Sequence, residues 1–238
     1  MSTINPVWLI VLTTFVALMP VLLGIFTSYI KVSIVLSMLK SGFGAQQIPG
    51  QMVVMVLSLA TTLYIMAPVI SETGKAGMNV DYQALLKSPS VENFEKLTPL
   101  FTPWREFIFH HSGSRELAAV ASLEKAAPVD KSSAKELDAS VVSAPLLSAR
   151  DGGKAADAPV RVLVLAYVLS ELKEAFAMGF VLLLPFLVID MVVANILAGL
   201  GMVMVSPLLI SLPLKVILFI LADGWLLLTR SLILSYQM

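Results

Sequence analysis

Long uncharged apolar runs restrict this chain to a membrane-type fold. The first run covers residues 6–30 and the second covers residues 52–69, and neither contains a charged side chain. A helix needs about 20 consecutive apolar residues to cross a bilayer. Two further apolar runs, at residues 160–205 and 208–235, carry only a few charges. We therefore predict an all-α membrane protein whose four hydrophobic segments form kinked helical hairpins.

The charged residues are concentrated in the middle of the chain. Residues 71–158 hold 10 of the 16 basic and 12 of the 16 acidic side chains, while the whole chain is 58% hydrophobic. Only 13% of the residues are charged, against roughly 25% in a soluble domain, so the chain as a whole is of membrane type. The clustered charges therefore indicate a polar insert within it. The predicted regions are an N-terminal hydrophobic helical hairpin (1–70), a polar helical insert (71–125), a low-complexity linker (126–159) and a C-terminal hydrophobic hairpin (160–238).

Two features predict how the first hairpin and the insert are placed. Residues 1–5 contain no Lys or Arg, so the first apolar run is expected to be a retained helix and not a cleaved signal peptide. Lys40 lies in the loop between the first two segments, and the positive-inside rule assigns that loop to the cytoplasm. The polar insert is then extracytoplasmic. Thr102-Pro103 is the expected start of its first helix, and Ser114 caps the next.

The composition excludes several classes of protein. The formal net charge is zero, so no basic field is available to hold nucleic acid. The chain has no cysteine, which removes disulfides and thiolate chemistry. His110 and His111 point about 100° apart on a helix, so they are expected to form a solvated pair and not a metal site. With no phosphate-binding loop and no nucleophile elbow in the sequence, we predict no enzyme, no cofactor and no metal.

Several ionisable side chains lie in or beside the apolar runs. A charge at the centre of a membrane helix costs roughly 2.5–3.5 kcal/mol, so these residues must face partners, water or protein. They could form ion pairs within or between subunits, line a polar path for a substrate, or act as a proton relay or catalytic dyad. Ala222-Asp223-Gly224 does not match the Gly-x-Gly-Asp of an intramembrane aspartyl protease. The candidate buried polar residues are Lys31, Glu171, Lys173, Asp190, Lys215 and Asp223.

A turn rich in glycine and methionine separates the last two apolar runs. Gly199, Gly201 and Pro207 are its candidate hinge residues, and residues 202–204 between them are Met202, Val203 and Met204. Methionine is flexible and polarisable, so it fills irregular gaps. Composition alone leaves two interpretations open, an ordinary loop or an adaptable seal around a narrow opening.

Two long motifs in the second half resemble signatures of the FliP/SctR family. Residues 165–180 read LAYVLSELKEAFAMGF and residues 212–225 read LPLKVILFILADGW. In the first half, residues 27–36 (TSYIKVSIVL) and 44–49 (GAQQIP) also fit. The sequence departs from the usual family pattern at Leu165, at Ala177 and at Gly50-Gln51.

The resemblance implies a core subunit of the type III secretion export apparatus in the bacterial inner membrane. In this family about five copies assemble with FliQ/SctS-like and FliR/SctT-like subunits, next to FlhB/SctU-like and FlhA/SctV-like components. Unfolded secreted proteins pass through the assembly, part of which stands above the bilayer on the periplasmic side and contacts lipid. The expected absence of a cleaved signal peptide favours the injectisome branch over the flagellar one.

The resemblance also gives roles to the two groups of candidate residues. It implies that Met202, Val203 and Met204 form one segment of a ring of Met-rich loops that closes the portal. An intersubunit ion pair between Glu171 and Lys215 is a further expectation. The alternative function is a proton-coupled secondary transporter of a small solute, with Asp190 and Asp223 in the proton path. An intramembrane hydrolase is disfavoured by the missing motif.

Overall fold

Helices are the regular secondary structure of the described part of the chain. The computed structural model describes residues 13–14, 16–18, 24–44, 49–78, 98–126, 159–202 and 204–237, and no strand occurs among them. This confirms the all-α fold class. Nearly all of the predicted linker, and most of the first apolar run, lie outside the described residues. The helices are α1 (Tyr29–Phe43), α2 (Gln51–Met78), α3 (Thr98–His111), α4 (Ser114–Ala126), α5 (Val160–Gly199), α6 (Pro207–Leu221) and α7 (Gly224–Leu234).

Helices α1 and α2 pack against each other. Lys40, predicted to lie in the loop between them, is in the last turn of α1. Gly44 ends α1 in the left-handed conformation, with φ +75°, and its N–H donates to the Ser41 carbonyl at 3.0 Å. Glycine adopts this conformation without the steric cost of a Cβ atom. Lys40 Nζ donates to Gln51 Oε1 at 3.1 Å, which links the end of α1 to the start of α2.

Helices α2 and α5 are long and apolar enough to cross a bilayer, with 28 and 40 residues. Helix α5 continues through Pro185 without interruption. The last apolar run, which hydropathy treats as one segment, is divided into α6 and α7, which meet at an angle of 63°. Asp223 adopts φ +49° at this bend, and any side chain at Gly224 would collide with the Phe219 ring. The described residues therefore contain two candidate spans, or three if the bent pair counts as one.

The polar insert supplies α3 and α4, which pack along the first half of α5. Helix α3 begins at Thr98, one turn before the predicted start at Thr102-Pro103. The same Thr-Pro pair occurs at Thr98-Pro99, and proline is well tolerated in the first turn of a helix. Helix α4 forms where the sequence predicted it.

Helices α1 and α5 form the centre of the fold. A side chain at Gly42 would meet Leu183 and Phe186, and one at Gly179 would meet Met38. The two helices therefore approach closely because two glycines leave room for the large side chains opposite them. The Phe43 ring lies 5.0 Å from the Phe186 ring and 5.4 Å from the Phe219 ring, between centroids, so α6 joins the same core.

Candidate functional site

Lys31 forms the first of two buried charge centres. Its Nζ atom lies 2.7 Å from Glu174 Oε2 and 3.4 Å from Glu171 Oε1, and the side chains of Lys31 and Glu171 are 0% and 1% exposed. The two glutamates are three residues apart on α5 and therefore share one face of that helix. Because a buried charge without a partner is strongly destabilising, this centre fixes α1 against α5.

Tyr236, two residues beyond the end of α7, completes the first centre. Its hydroxyl donates a hydrogen bond to Glu171 Oε2, and Lys31 Nζ lies 4.1 Å from the centroid of its ring. The ring stacks on Phe107 of α3 at 6.0 Å between centroids with an interplanar angle of 13°. Burial, reinforced by the charge of Glu171, raises the pKa of Tyr236. The phenol therefore stays protonated and acts as a donor.

Lys215 forms the second centre, where α6 meets α5 and the end of α1. Its Nζ atom donates to Asp190 Oδ2 at 2.7 Å and to the Gly42 carbonyl at 2.9 Å. The Lys215 side chain is 1% exposed, whereas that of Asp190 is 40% exposed. The sequence suggested that Lys215 pairs with Glu171 of another subunit, and the structure gives each of these residues a partner inside the chain.

The other two predicted charged residues lie at the surface of the described chain. Lys173 is exposed, and its Nζ atom donates to Glu116 Oε1 of α4 at 2.8 Å. This hydrogen bond lowers the pKa of Glu116. Asp223 is exposed at the bend between α6 and α7. The six candidates thus separate into two buried centres, one surface ion pair and one exposed carboxylate.

Three residues of the first centre were not among the predicted site residues. Glu174 could have been found from its spacing to Glu171, which places both on one helical face. His111 was expected to be solvated, but it packs on Phe107 and Tyr236, at 4.4 and 5.0 Å between ring centroids. Tyr236 is far from these residues in sequence, so no local pattern could have predicted that contact.

The glycine and methionine turn is closed by a Schellman motif at the end of α5. Gly201 adopts φ +73°, its N–H donates to the Ala198 carbonyl at 3.1 Å, and the Met202 N–H donates to the Leu197 carbonyl at 2.9 Å. These two bonds satisfy carbonyls that the end of a helix otherwise leaves unpaired. Gly199 is the last residue of α5. The turn is therefore locally ordered at its first half.

The second half of the turn leads directly into α6. Pro207 is the first residue of α6, a position where its fixed φ favours the helix. Met202 is about half exposed and Met204 is fully exposed, whereas Val203 lies outside the described residues. The turn therefore presents two methionine side chains outward at the tip of the α5–α6 hairpin.

Large apolar side chains cover the outside of the second half of α5 and of α6 and α7. Soluble monomers rarely expose apolar patches larger than a few hundred Å², so this surface faces lipid or protein. An apolar groove of about 600 Å³ opens between α5, α6 and α7, with Pro185 and Phe219 in its wall. Exposed members of the surface include Leu187, Met191, Ile196, Leu209, Ile220 and Leu226.

Comparisons with known proteins agree over nearly the whole chain. The profile of the FliP family matches residues 12–232. The flagellar biosynthetic protein FliP of Aquifex aeolicus is 34% identical over 99% of this chain and 88% of its own length. The Yop proteins translocation protein R of Yersinia pestis is 35% identical, covering 96% and 95% of the two chains. The surface presentation of antigens protein SpaP of Shigella flexneri is 34% identical, with 96% and 95% covered.

Proposed function

The chain belongs to the FliP family, and on this premise we propose that it is a core subunit of the type III export gate. Family membership makes it a component of the type III secretion export apparatus, and its apolar helices fit an inner-membrane protein. In the proposed assembly, about five copies join FliQ/SctS-like and FliR/SctT-like subunits around a portal for unfolded proteins. FlhB/SctU-like and FlhA/SctV-like components adjoin it, and part of the complex stands above the bilayer on the periplasmic side.

The turn at the tip of the α5–α6 hairpin carries the proposal. Its first half is tied down by main-chain hydrogen bonds, and it presents Met202 and Met204 outward. A turn that is anchored at its first half and exposes two flexible apolar side chains is suited to contact equivalent turns of neighbouring copies. We infer that these turns, with Val203, close the portal against ions and yield to an unfolded chain, while Gly199, Gly201 and Pro207 set their direction.

The closing role is tested by replacing Met202 and Met204 with alanine in cells that carry the whole apparatus. The shorter side chains leave a gap at the centre of the ring, so we expect ion leak across the inner membrane to rise several-fold. Secretion of substrate proteins is measured in the same cells. The matched control replaces Met52 and Met78, which are also exposed but lie on α2, and it should leave the leak unchanged.

An unchanged leak in the Met202 and Met204 variant, in cells that assemble the apparatus at normal levels, contradicts the closing role. The family assignment does not depend on that result. Assembly is monitored by the amount of the complex recovered from the membrane fraction. A variant that fails to assemble is replaced by one with leucine at both positions, which keeps the apolar volume but stiffens the side chains.

The charge centres favour a conduit over the alternative of a proton-coupled transporter. Asp190 is held by Lys215, which also binds the end of α1. This arrangement joins α6 to α5 and α1, as a structural ion pair does. Asp223 is located at a bend between two apolar helices and is exposed. We therefore propose that the chain provides a passage and that the energy for export comes from other components.

A further inference from the structure

The C-terminal turn, residues 235–237, covers the buried pair of Lys31 and Glu171. Tyr236 contributes contacts to three separate helices, with Lys31 of α1, Phe107 of α3 and Glu171 of α5. The buried residues of α7, by contrast, are two leucines. The polar contacts between the end of the chain and the core therefore come from this turn, which we call the C-terminal latch.

The imidazole ring of His111 in α3 connects the main chain of its own helix to the main chain of the latch. Its Nδ1 atom is 2.8 Å from the Phe107 carbonyl oxygen and its Nε2 atom is 3.3 Å from the Tyr236 carbonyl oxygen. A neutral imidazole has one N–H and can donate to only one of these carbonyls, whereas the protonated ring can donate to both. The protonation state of His111 therefore acts directly on the main chain of the latch.

The charged and titratable groups around His111 are on several elements. Lys31 faces it from α1, Tyr236 from the latch and His110 from its own helix. On α5, the Glu171 and Glu174 carboxylates are already paired with Lys31, and Tyr167 lies beside Phe107. A protonated His111 would thus add a second cation near Lys31, and both carboxylates of the centre already contact the Lys31 ammonium.

We propose that the C-terminal latch is a pH-sensitive device, closed when His111 is neutral and opened when His111 is protonated. Placing a second cation in a partly buried site beside Lys31 costs more than one additional hydrogen bond returns. Opening removes Tyr236 from Lys31 and Glu171 and lets the imidazolium reach water. The end of α7 then loses its attachment to α1, α3 and α5.

The sign of the pH dependence follows from the surroundings of His111. Burial is the largest effect and lowers the pKa of His111 from 6.5, and the charges of His110 and Lys31 act in the same direction, while the two carbonyls act against them. A lowered pKa means that the closed form binds fewer protons than the open form. The latch is therefore fully stable above pH 6.5 and is progressively destabilised as the pH falls below that value.

The absence of cysteine allows a single label to report on the latch. Gln237, which is exposed, is replaced by cysteine and labelled with a fluorophore on the full chain in detergent. Fluorescence anisotropy is recorded from about pH 8 to about pH 5, a range that includes ordinary histidine titration. The same dye on a Met52→Cys chain reports the response of the dye itself.

We expect the anisotropy at position 237 to fall as the pH drops below 6.5, and this transition to be lost in His111→Gln. The matched control, His110→Gln, changes the exposed neighbouring histidine and should keep the transition. Tyr236→Ala should give low anisotropy at every pH, because the latch has lost its anchor. A transition that persists in His111→Gln overturns the role of His111.

Two further outcomes contradict the proposal. If Tyr236→Ala leaves the anisotropy at its wild-type value at about pH 8, the turn is not held by Tyr236 and there is no latch. If the wild-type anisotropy is independent of pH while Tyr236→Ala lowers it, the latch exists but is not pH-sensitive. These measurements use the isolated chain, so their outcome is distinct from that of the ion-leak experiment.

Discussion

The Lys31 ammonium pairs with the carboxylates of Glu171 and Glu174, and the side chains of Lys31 and Glu171 are buried. Replacing Lys31 with methionine keeps an unbranched side chain, one atom shorter, but leaves Glu171 buried without its cation. We expect the free energy of unfolding to fall by about 3–5 kcal/mol, as when one partner of a buried pair is removed. Denaturant titration of the chain in detergent, followed by circular dichroism, measures the loss.

The control for Lys31→Met is Lys173→Met, which removes an exposed lysine from its ion pair with Glu116. Exposed pairs contribute about 0–1 kcal/mol, so this variant should be close to the wild type. Similar losses in both variants would contradict the view that burial decides the importance of each pair.

Lys215 allows a test of which acidic residue is its partner in the working protein. We expect Lys215→Ala to block assembly, and Lys215→Asp combined with Asp190→Lys to restore part of it, because the 2.7 Å pair is rebuilt with reversed charges. The comparison variant combines Lys215→Glu with Glu171→Lys. Recovery of the complex by affinity purification is the measurement. Restoration by the Glu171 combination alone would identify an intersubunit pair instead.

The sequence alone predicted that Lys31, Glu171, Asp190 and Lys215 need partners, because burying an unpaired charge is costly. It could not predict which acidic residue each lysine meets, because partner choice depends on how α1, α5 and α6 pack. Asp223 was expected to be buried between subunits, and in the described chain it is exposed. Its pairing in the assembly stays a prediction.

Helices α1 and α5 can approach closely because Gly179 leaves space for the Met38 side chain. We expect Gly179→Ala to destabilise the chain by about 1–3 kcal/mol, the usual cost of overpacking a core. Met38→Ala should recover part of this loss in the double variant, because it removes the group that the new methyl meets. The free energy of unfolding of the two single variants and the double variant measures this coupling. Strict additivity of the two losses would show that the contact does not limit the approach.

Helix α4 is attached to α5 by an acid-sensitive contact between Glu116 and Lys173. Because the Lys173 hydrogen bond lowers the pKa of Glu116 from 4.5, its contribution is fully present above pH 4.5 and is lost as the pH falls through the lowered value. We expect hydrogen-exchange protection of α4, relative to α2, to decrease on acidification. Glu116→Gln should remove this dependence on pH, and a dependence that survives it would place the titrating group elsewhere.

The positions of most helices could be predicted from apolar runs and from turn residues such as Gly44 and Gly201. The bend between α6 and α7 could not be predicted from hydropathy, because both helices are apolar and form one continuous apolar run in the sequence. The Asp223-Gly224 pair is a turn signal that could have located it. The requirement for glycine there comes from the Phe219 ring, which reaches Gly224 only in the folded chain.

At the scale of the whole molecule, hydropathy predicted a membrane protein but could not give its function. The long motifs at residues 165–180 and 212–225 indicated its family, through a resemblance that the family comparisons confirm. The structure adds that the charged residues of these motifs join α5 to α1 and to α6. The motifs therefore include residues that hold the fold together.

The exposed apolar surface of α5, α6 and α7 predicts how the chain behaves with its neighbours. In a single copy, lipid can cover this surface, but the closing role proposed for the methionine turn requires that several turns meet. We expect native mass spectrometry of the chain, co-expressed with FliQ/SctS-like and FliR/SctT-like subunits, to give a complex that holds about five copies. Replacing exposed Leu209 of α6 with glutamate should reduce that complex, whereas the same change at exposed Leu123 of α4 should not. A stable monomer or dimer that ignores both neighbours would instead favour a transporter and direct attention to Asp190 and Asp223.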